Sequence, residues 1–206
     1  KFFALAQSPQ IYKQLCVIGG IDRYYQIATC WRDEDLRADR QFEFRQLDVE
    51  LAFAEREDVL NVLEEAVVAS FEAVDREPPE RPFPRLTWRE ATARYGTDKP
   101  DLRFGLELVE ITDVFRDSEF KAFKGAIDDG ALVRALNAGK REFSRSDLDG
   151  FVSDAQELGA KGLVWAVVEA GGWRSPVAKF LSEQEISASN EAMGAQEGDV
   201  LLLVAD

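Results

Sequence analysis

Apolar residues between positions 8 and 20 recur at helical spacing, at Ile11, Leu15 and Ile18. This spacing predicts a helix that ends at the Gly19-Gly20 pair. Ser8 is predicted to cap the free N–H groups of this helix, and Pro9 suits its first position. Gln10 and Lys13, three positions apart, are expected to share the other side of the helix.

Residues 23–32 and 44–53 are β-branched, aromatic and alternating, which predicts two strands joined by a charged loop. The second strand should present one apolar face, formed by Leu47, Val49, Leu51 and Phe53. Its other face should carry Phe44, Gln46, Asp48 and Glu50. An aromatic ring, an amide and two carboxylates on one face are typical of the floor of a polar pocket.

The pattern after this hairpin changes from helical to mixed. A helix is predicted over 57–74, packed on the back of the hairpin through Leu60, Leu63, Val67, Phe71 and Val74. A Pro-rich connector (77–85) and a short capped helix from Thr87 to Gly96 follow. From about residue 106, two kinds of segment alternate: strands at 106–115, 119–127, 163–170 and 199–206, and helices at 146–158 and 183–193. The predicted fold class is α+β.

Composition excludes several kinds of protein. No run approaches the ~18 apolar residues of a membrane helix, and the 206 residues include no histidine, so no histidine can serve as nucleophile base or metal ligand. Cys16 and Cys30 lie in apolar stretches and are predicted to be free, buried thiols. The net charge of −14 argues against general nucleic-acid binding, although a ligand meets only a local field.

The hairpin contains the residues that indicate a chemical function. Arg32 closes its first strand, and a loop dense in both charges leads to the second. A guanidinium can pair with carboxylate and phosphate oxygens and stays charged at any working pH. An aromatic residue such as Phe44 offers a nucleobase a face on which to stack. This arrangement suits the activation of a carboxylate by ATP through positioning and charge neutralisation.

Three stretches of the chain together resemble a known family. WRDEDLRADRQFEFRQLDVELAF (31–53) closely resembles motif 2 of class II aminoacyl-tRNA synthetases, in the form found in bacterial-type aspartyl-tRNA synthetases. FALAQSPQIYKQL (3–15) resembles their aspartate-binding segment, and RYGTDKPDLRFGLEL (94–108) resembles the stretch that leads into their insertion domain. The resemblance implies a partial class II catalytic domain with an antiparallel sheet at 1–104 and an α+β insertion domain at 105–206.

The resemblance also implies residue roles. Arg32 would be the catalytic residue, bridging the aspartate carboxylate and the α-phosphate of ATP. The aspartate-binding residues would be Gln10, Ile11, Tyr12, Lys13, Arg32 and Asp48, with Lys13 on the side-chain carboxylate and Asp48 on the ammonium. The ATP-binding residues would be Arg32, Asp33, Glu34, Gln41 and Phe44, with Phe44 stacked on the base. The loop 35–41 would approach the acceptor end of tRNA.

The implied activity is that of an aspartate–tRNA ligase, which forms aspartyl-adenylate from L-aspartate and ATP with Mg²⁺ and then charges tRNA. The implied protein is a cytoplasmic homodimer without a membrane segment. Motif 1, motif 3, the metal ligands and the anticodon-binding barrel are expected outside this chain, so the fragment alone is expected to be inactive. Phe42, Arg45 and Ala6 depart from the family's usual residues, which affects the expected rigidity of the loop more than its chemistry.

Other interpretations of the same residues remain open. The chain could be a non-catalytic synthetase-like or insertion-domain binding module, and Arg32 could form only a structural ion pair with Glu34 or Asp48. Asp48 and Glu50 could be a glycosidase dyad, but neighbours two apart on one strand are closer than such pairs need. Among relatives that use asparagine or lysine, Lys13 favours aspartate, because an ammonium attracts a carboxylate and repels a lysine.

Overall fold

The computed structural model describes residues 2, 4–38 and 40–206, so that Lys1, Phe3 and Asp39 lie outside the described residues. The predictions that include these three positions are therefore described only in part, among them the loop 35–41. The chain forms two compact units, Lys1–Pro84 and Arg85–Asp206. Each unit combines helices with a purely antiparallel sheet, which confirms the α+β class.

The first unit contains a long β-hairpin between two helices. Its elements are α1 (Gln10–Ile18), β1 (Arg23–Trp31), β2 (Glu43–Leu51) and α2 (Arg56–Glu72). The strands pair antiparallel along their whole length, with Gln26 opposite Asp48 and Cys30 opposite Phe44. The predicted hairpin and its alternation are thereby confirmed, and α1 packs against both strands.

Two details of α1 differ from the prediction. Pro9 occupies the cap position and no side chain caps the helix, because the first helical bond runs from the Lys13 N–H to the Pro9 carbonyl. The prediction that Ser8 caps the helix is therefore wrong. The side chains of Ile11, Leu15 and Ile18 are exposed, whereas the half-buried side comprises Lys13, Cys16 and Val17.

The second strand ends earlier than predicted. The Ala52 N–H donates to the Asp22 carbonyl at 2.8 Å, which closes the hairpin, and the chain then turns away. Phe53 lies in this turn with φ of 55° and a side chain that is 99% exposed. Its predicted place on the apolar strand face is therefore wrong.

Of the predicted apolar stripe of α2, only Leu60 is partly buried. Leu63, Val67, Phe71 and Val74 are exposed, so the predicted packing of this stripe on the hairpin is not observed. The more buried positions are Leu60, Glu64 and Val68, one helical step around the axis. The carboxylate of Glu64 accepts the Phe83 N–H at 3.0 Å, and this bond ties the following connector to the helix.

The second unit is built on a five-stranded sheet in the order β3-β4-β7-β5-β6. Its strands are β3 (Leu108–Glu110), β4 (Val133–Lys140), β5 (Val164–Glu169), β6 (Gly172–Arg174) and β7 (Asp199–Ala205). Its helices are α3 (Trp88–Tyr95), α4 (Lys121–Asp128), α5 (Arg145–Glu157) and α6 (Glu183–Ala192). Short 3₁₀ turns occupy Leu102–Phe104, Thr112–Phe115 and Ala178–Phe180.

Both faces of this sheet are covered. Leu201 and Leu203 of the central strand β7 belong to one apolar cluster with Phe115 and Phe123, whereas Val200 belongs to a second cluster with α5. A strand that is buried on both faces has a continuous apolar run rather than an alternating one. The sequence of β7 therefore follows from its central position.

Predictions for the second unit are confirmed in part, with four departures. The capped helix α3, the helices α5 and α6, and the strands β5 and β7 lie where they were expected. Residues 119–127 were predicted to be a strand and instead form α4, because Phe123 and Ala126 are buried at helical spacing. Only Leu108–Glu110 of the predicted strand 106–115 pairs, and β4 and β6 were not predicted.

Candidate functional site

The site is built on one face of the hairpin, which we call the polar face. Facing residues of the two strands form it: Tyr24, Gln26, Ala28 and Cys30 of β1, and Phe44, Gln46, Asp48 and Glu50 of β2. Since side chains alternate along a strand, these residues all project to the side that α1 covers in part. The predicted polar pocket floor therefore corresponds to a continuous surface.

One end of the polar face holds an ammonium between two carboxylates. Lys13 Nζ lies 2.7 Å from Asp48 Oδ1 and 3.1 Å from Glu50 Oε2. The side chains of Lys13 and Asp48 are only 12% and 13% exposed. The hydrogen bond to Asp48 is the largest cause that raises the pKa of Lys13, so the ammonium stays charged at neutral pH. The group has one positive and two negative charges, and can therefore receive both an ammonium and a carboxylate.

The other end of the polar face holds a guanidinium over an aromatic ring. The Arg32 guanidinium carbon lies 5.0 Å from the centroid of the Phe44 ring, within the range of a cation–π contact. The Arg32 N–H donates to the Phe42 carbonyl at 2.9 Å, which extends the hairpin and fixes the start of the side chain. Arg32 is about half exposed and lies 3.9 Å from Glu34. A planar group in this position can pair with oxyanions that enter from solvent.

An open cavity of about 340 Å³ surrounds the Arg32 end, and five residues line it: Arg32, Glu34, Arg40, Gln41 and Phe44. Four of them are predicted ATP-binding residues. Asp33 instead borders a neighbouring cavity, together with Arg32 and Phe42. The structure thus brings most of the predicted nucleotide residues around one space, and their assignment to ATP stays a prediction.

The remaining predicted aspartate-binding residues form the first turn of α1, directly before Lys13 in the sequence. Gln10 is exposed at the start of α1. Ile11 and Tyr12 are 71% and 70% exposed. The role of these residues in binding aspartate stays a prediction.

Two further residues join the site by geometry. Glu50 is the second carboxylate on Lys13; its place on the polar side of the alternating strand was the signal that could have identified it. Arg40 lines the cavity and lies 3.4 Å from Glu34. No local pattern distinguished Arg40 from the other arginines of the loop, because only the fold of the loop places it.

The two cysteines are free, as predicted. Cys30 is fully buried under the polar face, where its thiol donates to Gln46 Oε1 at 3.3 Å. Cys16 is half-buried on α1. Within residues 2, 4–38 and 40–206, no group of three or more acidic or sulfur ligands could hold a metal ion. In the same residues, no helix is long and apolar enough to span a membrane.

The segment 96–105 is held by contacts among its own residues and their neighbours. Arg103 pairs with Asp101, and its hydrogen bonds lower the pKa of that carboxyl to about 2. Arg94 forms two hydrogen bonds to Glu107, at 2.8 and 2.6 Å. The first pair lies within the segment, and the second joins residues on either side of it.

Comparisons with known proteins identify a family and several relatives that this chain resembles. A family model described as tRNA synthetases class II (D, K and N) matches residues 1–196. The chain is 50% identical over its whole length to an aspartate–tRNA(Asp/Asn) ligase of Halothermothrix orenii and 52% identical to one of Caldanaerobacter subterraneus. It is 48% identical to an aspartate–tRNA ligase of Geobacillus kaustophilus. In each case the chain spans 35% of the length of the relative.

Proposed function

We propose, on the premise that this chain belongs to the class II tRNA synthetase family for D, K and N, that it is a segment of an aspartate–tRNA ligase. The relatives that match its full length carry that name. The non-catalytic binding module is not favoured, because these relatives are ligases over the whole matched region. The complete enzyme's activity, substrates and partners are part of the proposal, since the chain spans about a third of the relatives' length.

One observation carries the proposal: the two ends of the polar face offer complementary chemistry at a fixed distance. Asp48 and Phe44 are four residues apart on β2, which separates their Cα atoms by ~13 Å along the strand. The Lys13 group at one end suits a small molecule with both an ammonium and a carboxylate. The guanidinium and aromatic ring at the other end suit a nucleotide. The reacting atoms of aspartate and ATP would then meet between the two ends.

The residues would act mainly by positioning and charge. Lys13 would bind the side-chain carboxylate of aspartate, and Asp48 would accept hydrogen bonds from its ammonium. Arg32 would pair with the α-carboxylate and the α-phosphate, whose repulsion opposes reaction, while Phe44 stacks on the adenine. The carboxylate oxygen would form a bond to the α-phosphorus, and the bond to pyrophosphate would break. Mg²⁺ would offset phosphate charge, but the described residues form no site for it, and no step is assigned to it.

The rest of the proposed enzyme lies outside this chain. Motif 1 with its homodimer contact, motif 3 with further ATP contacts, and the anticodon-binding domain belong to the proposed parent protein, which we place in the cytoplasm. The loop 35–41 is proposed to approach the acceptor end of tRNA. The segments 1–104 and 105–206 are proposed as the partial catalytic domain and the insertion domain.

The test is aspartate-dependent pyrophosphate exchange by the parent protein with the substitution Arg32→Lys. Exchange should fall by roughly 100-fold or more, because lysine keeps the charge but loses the paired donors that a positioned group supplies. The matched control is Arg45→Lys, the same substitution on the opposite face of β2. This control should leave exchange within about twofold of the unsubstituted protein.

Near-normal exchange by the Arg32→Lys variant would remove Arg32 from the mechanism. An equal loss in both variants would show that the effect comes from a general disturbance of the hairpin rather than from the site. Exchange that depends on asparagine or lysine instead of aspartate would contradict the proposed substrate.

A further inference from the structure

Gln46 occupies the middle of the polar face, between the Lys13 group and the Arg32 end. Its neighbours on the same side of β2 are Phe44 and Asp48, each two positions away and therefore about 7 Å distant along the strand. The reacting groups of aspartate and ATP are proposed to meet at this level of the hairpin. Gln46 belongs to none of the contacts proposed above, although its amide carries two N–H donors and an acceptor oxygen.

A buried thiol holds the oxygen of this amide. The Cys30 thiol donates to Gln46 Oε1 at 3.3 Å, whereas its other acceptor, the Ala28 carbonyl, is 3.9 Å away. Cys30 is fully buried and Gln46 is half-buried, so water competes little for the thiol. The contact runs diagonally across the hairpin, since the register pairs Cys30 with Phe44, two positions from Gln46. The Gln46 side chain therefore leans toward the Arg32 end.

The direction of this hydrogen bond decides which end of the amide stays available. Because Oε1 accepts from the thiol, the NH₂ group is left for another partner. Among the described residues, the Gln46 side chain forms no other hydrogen bond, and its nitrogen is not buried, so a ligand can reach it. A flipped amide would instead turn its oxygen outward, where it would repel an oxyanion.

We propose that Cys30 is a positioning residue for the reaction and that it acts through Gln46. The thiol keeps the amide oxygen of Gln46 on the inner side, and the NH₂ group donates to the α-carboxylate of aspartate, on the oxygen that does not attack phosphorus. Arg32 pairs with the same carboxylate, so the two contacts together fix the plane in which it approaches ATP. This inference rests on the proposed function, because it places aspartate and ATP along the polar face.

The first experiment removes the amide in the parent protein, with the KM values for aspartate and ATP measured by pyrophosphate exchange. Gln46→Leu should raise the KM for aspartate about tenfold or more, because a hydrogen bond to a charged group is lost. The KM for ATP should stay within about twofold, since general destabilisation of the hairpin would change both values. The matched control is Gln14→Leu, the same substitution at an exposed position of α1, which should change neither value.

The second experiment separates a positioning role of the thiol from packing. Cys30→Ala should raise the KM for aspartate about fivefold, the effect of one lost neutral hydrogen bond. Cys30→Ser also loses the sulfur but keeps a donor, so its KM for aspartate should stay within about twofold of the unsubstituted protein. Cys16→Ala, the same substitution at the other free cysteine of this unit, should not change the KM for aspartate.

A double variant tests the order of the two residues. Cys30→Ala/Gln46→Leu should resemble Gln46→Leu alone, since Cys30 acts only through Gln46. Three results would overturn the inference while leaving the proposed function intact: equal KM values for aspartate in Cys30→Ala and Cys30→Ser, equal rises in the KM for aspartate and for ATP, or additive effects in the double variant. Absence of aspartate-dependent exchange in the unsubstituted parent would instead overturn the proposed function and this inference together.

Discussion

The first unit leaves apolar side chains exposed around a polar hairpin, whereas the second unit buries its apolar side chains on both faces of a sheet. Among the described residues of the first unit, the buried apolar side chains are those of Pro9, Ala28 and Cys30. The second unit has two apolar clusters that include large side chains such as Phe115, Leu148 and Leu203. The proposed chemistry thus lies in the unit with the smaller core of its own.

The polar face of the first unit illustrates two alternative uses of a position in a fold. A position can stabilise the fold by removing apolar area from water, at about 25 cal/mol per Å², or it can hold a charged group near a ligand. On the side of α1 that faces the hairpin, Lys13 occupies the second role, whereas Ile11, Leu15 and Ile18 are exposed on the other side. In the second unit α4 directs Phe123 inward. The side of α1 that faces the hairpin therefore contributes a charge where α4 contributes an apolar side chain.

The largest expected effect compares two leucines, one from each unit. Leu203 is fully buried and Leu15 is 60% exposed. Leu203→Ala should lower the free energy of unfolding by about 2–5 kcal/mol, from lost burial and the cavity left behind. Leu15→Ala should lower it by less than about 0.5 kcal/mol. Urea unfolding of the 206-residue chain, followed by tryptophan fluorescence, measures both.

Similar losses of unfolding free energy in the Leu203→Ala and Leu15→Ala variants would contradict this difference between the two units. They would mean that the outer side of α1 contributes as much to the stability of this chain as the core of the second unit does.

An intermediate effect concerns the charged group that replaces apolar packing in the first unit. In the parent protein, Lys13→Met should raise the KM for aspartate by about 10–100-fold, as expected for the loss of a charge-assisted hydrogen bond, and leave the KM for ATP largely unchanged. Lys161→Met, an exposed lysine of the second unit, is the control and should change neither value. Equal rises for aspartate and ATP in the Lys13→Met variant would contradict the separation of the two ends.

The smallest effect is the pH dependence of a helix cap in the second unit. Thr87 and Glu90 cap α3 reciprocally: the Glu90 carboxylate accepts the Thr87 N–H, and Thr87 Oγ1 accepts the Glu90 N–H. These hydrogen bonds lower the pKa of Glu90 below its ordinary value of 4.5. A lowered folded-state pKa means that this contribution to stability is present above about pH 4.5 and is lost as the pH falls through the folded value.

The measurement is the urea midpoint of the chain between pH 6 and pH 3. The decline should be shallower in Glu90→Gln than in the control Glu157→Gln, an exposed carboxylate at the last residue of α5. Identical declines would show that the cap does not contribute to the acid sensitivity of the second unit.

Local sequence patterns correctly predicted the elements that depend on contacts between residues close in sequence. Thr87 and Glu90 mark the start of α3 and Gly96 its end, because caps are satisfied within a few residues. The alternation of β2 correctly placed Asp48, Glu50 and Phe44 on one face, since the period of a strand is fixed by its backbone. The resemblance to a family added the roles of these residues, which periodicity alone does not supply.

The predictions failed where contacts between residues distant in the sequence determine the secondary structure. Residues 133–140 form β4 because β3 and β7 pair with them on both sides. No local feature of the sequence predicts that pairing. Residues 119–127 contain aromatic residues that suit a strand, but burial of Phe123 selects a helix. The loop that carries Arg40 has no period, so its contact with Glu34 depends on how the loop folds.

The sequence by itself determined the α+β class, the hairpin with its two faces, and the family to which its motifs belong, because these depend on short-range periodicity and on residue types. Only the tertiary structure decided that α1 turns Lys13 toward Asp48 and Glu50, and that Tyr24 and Gln26 lie opposite those carboxylates. The physical reason is that an amphipathic helix has two sides and its sequence does not state which neighbour it meets. The charges of the hairpin select the lysine side.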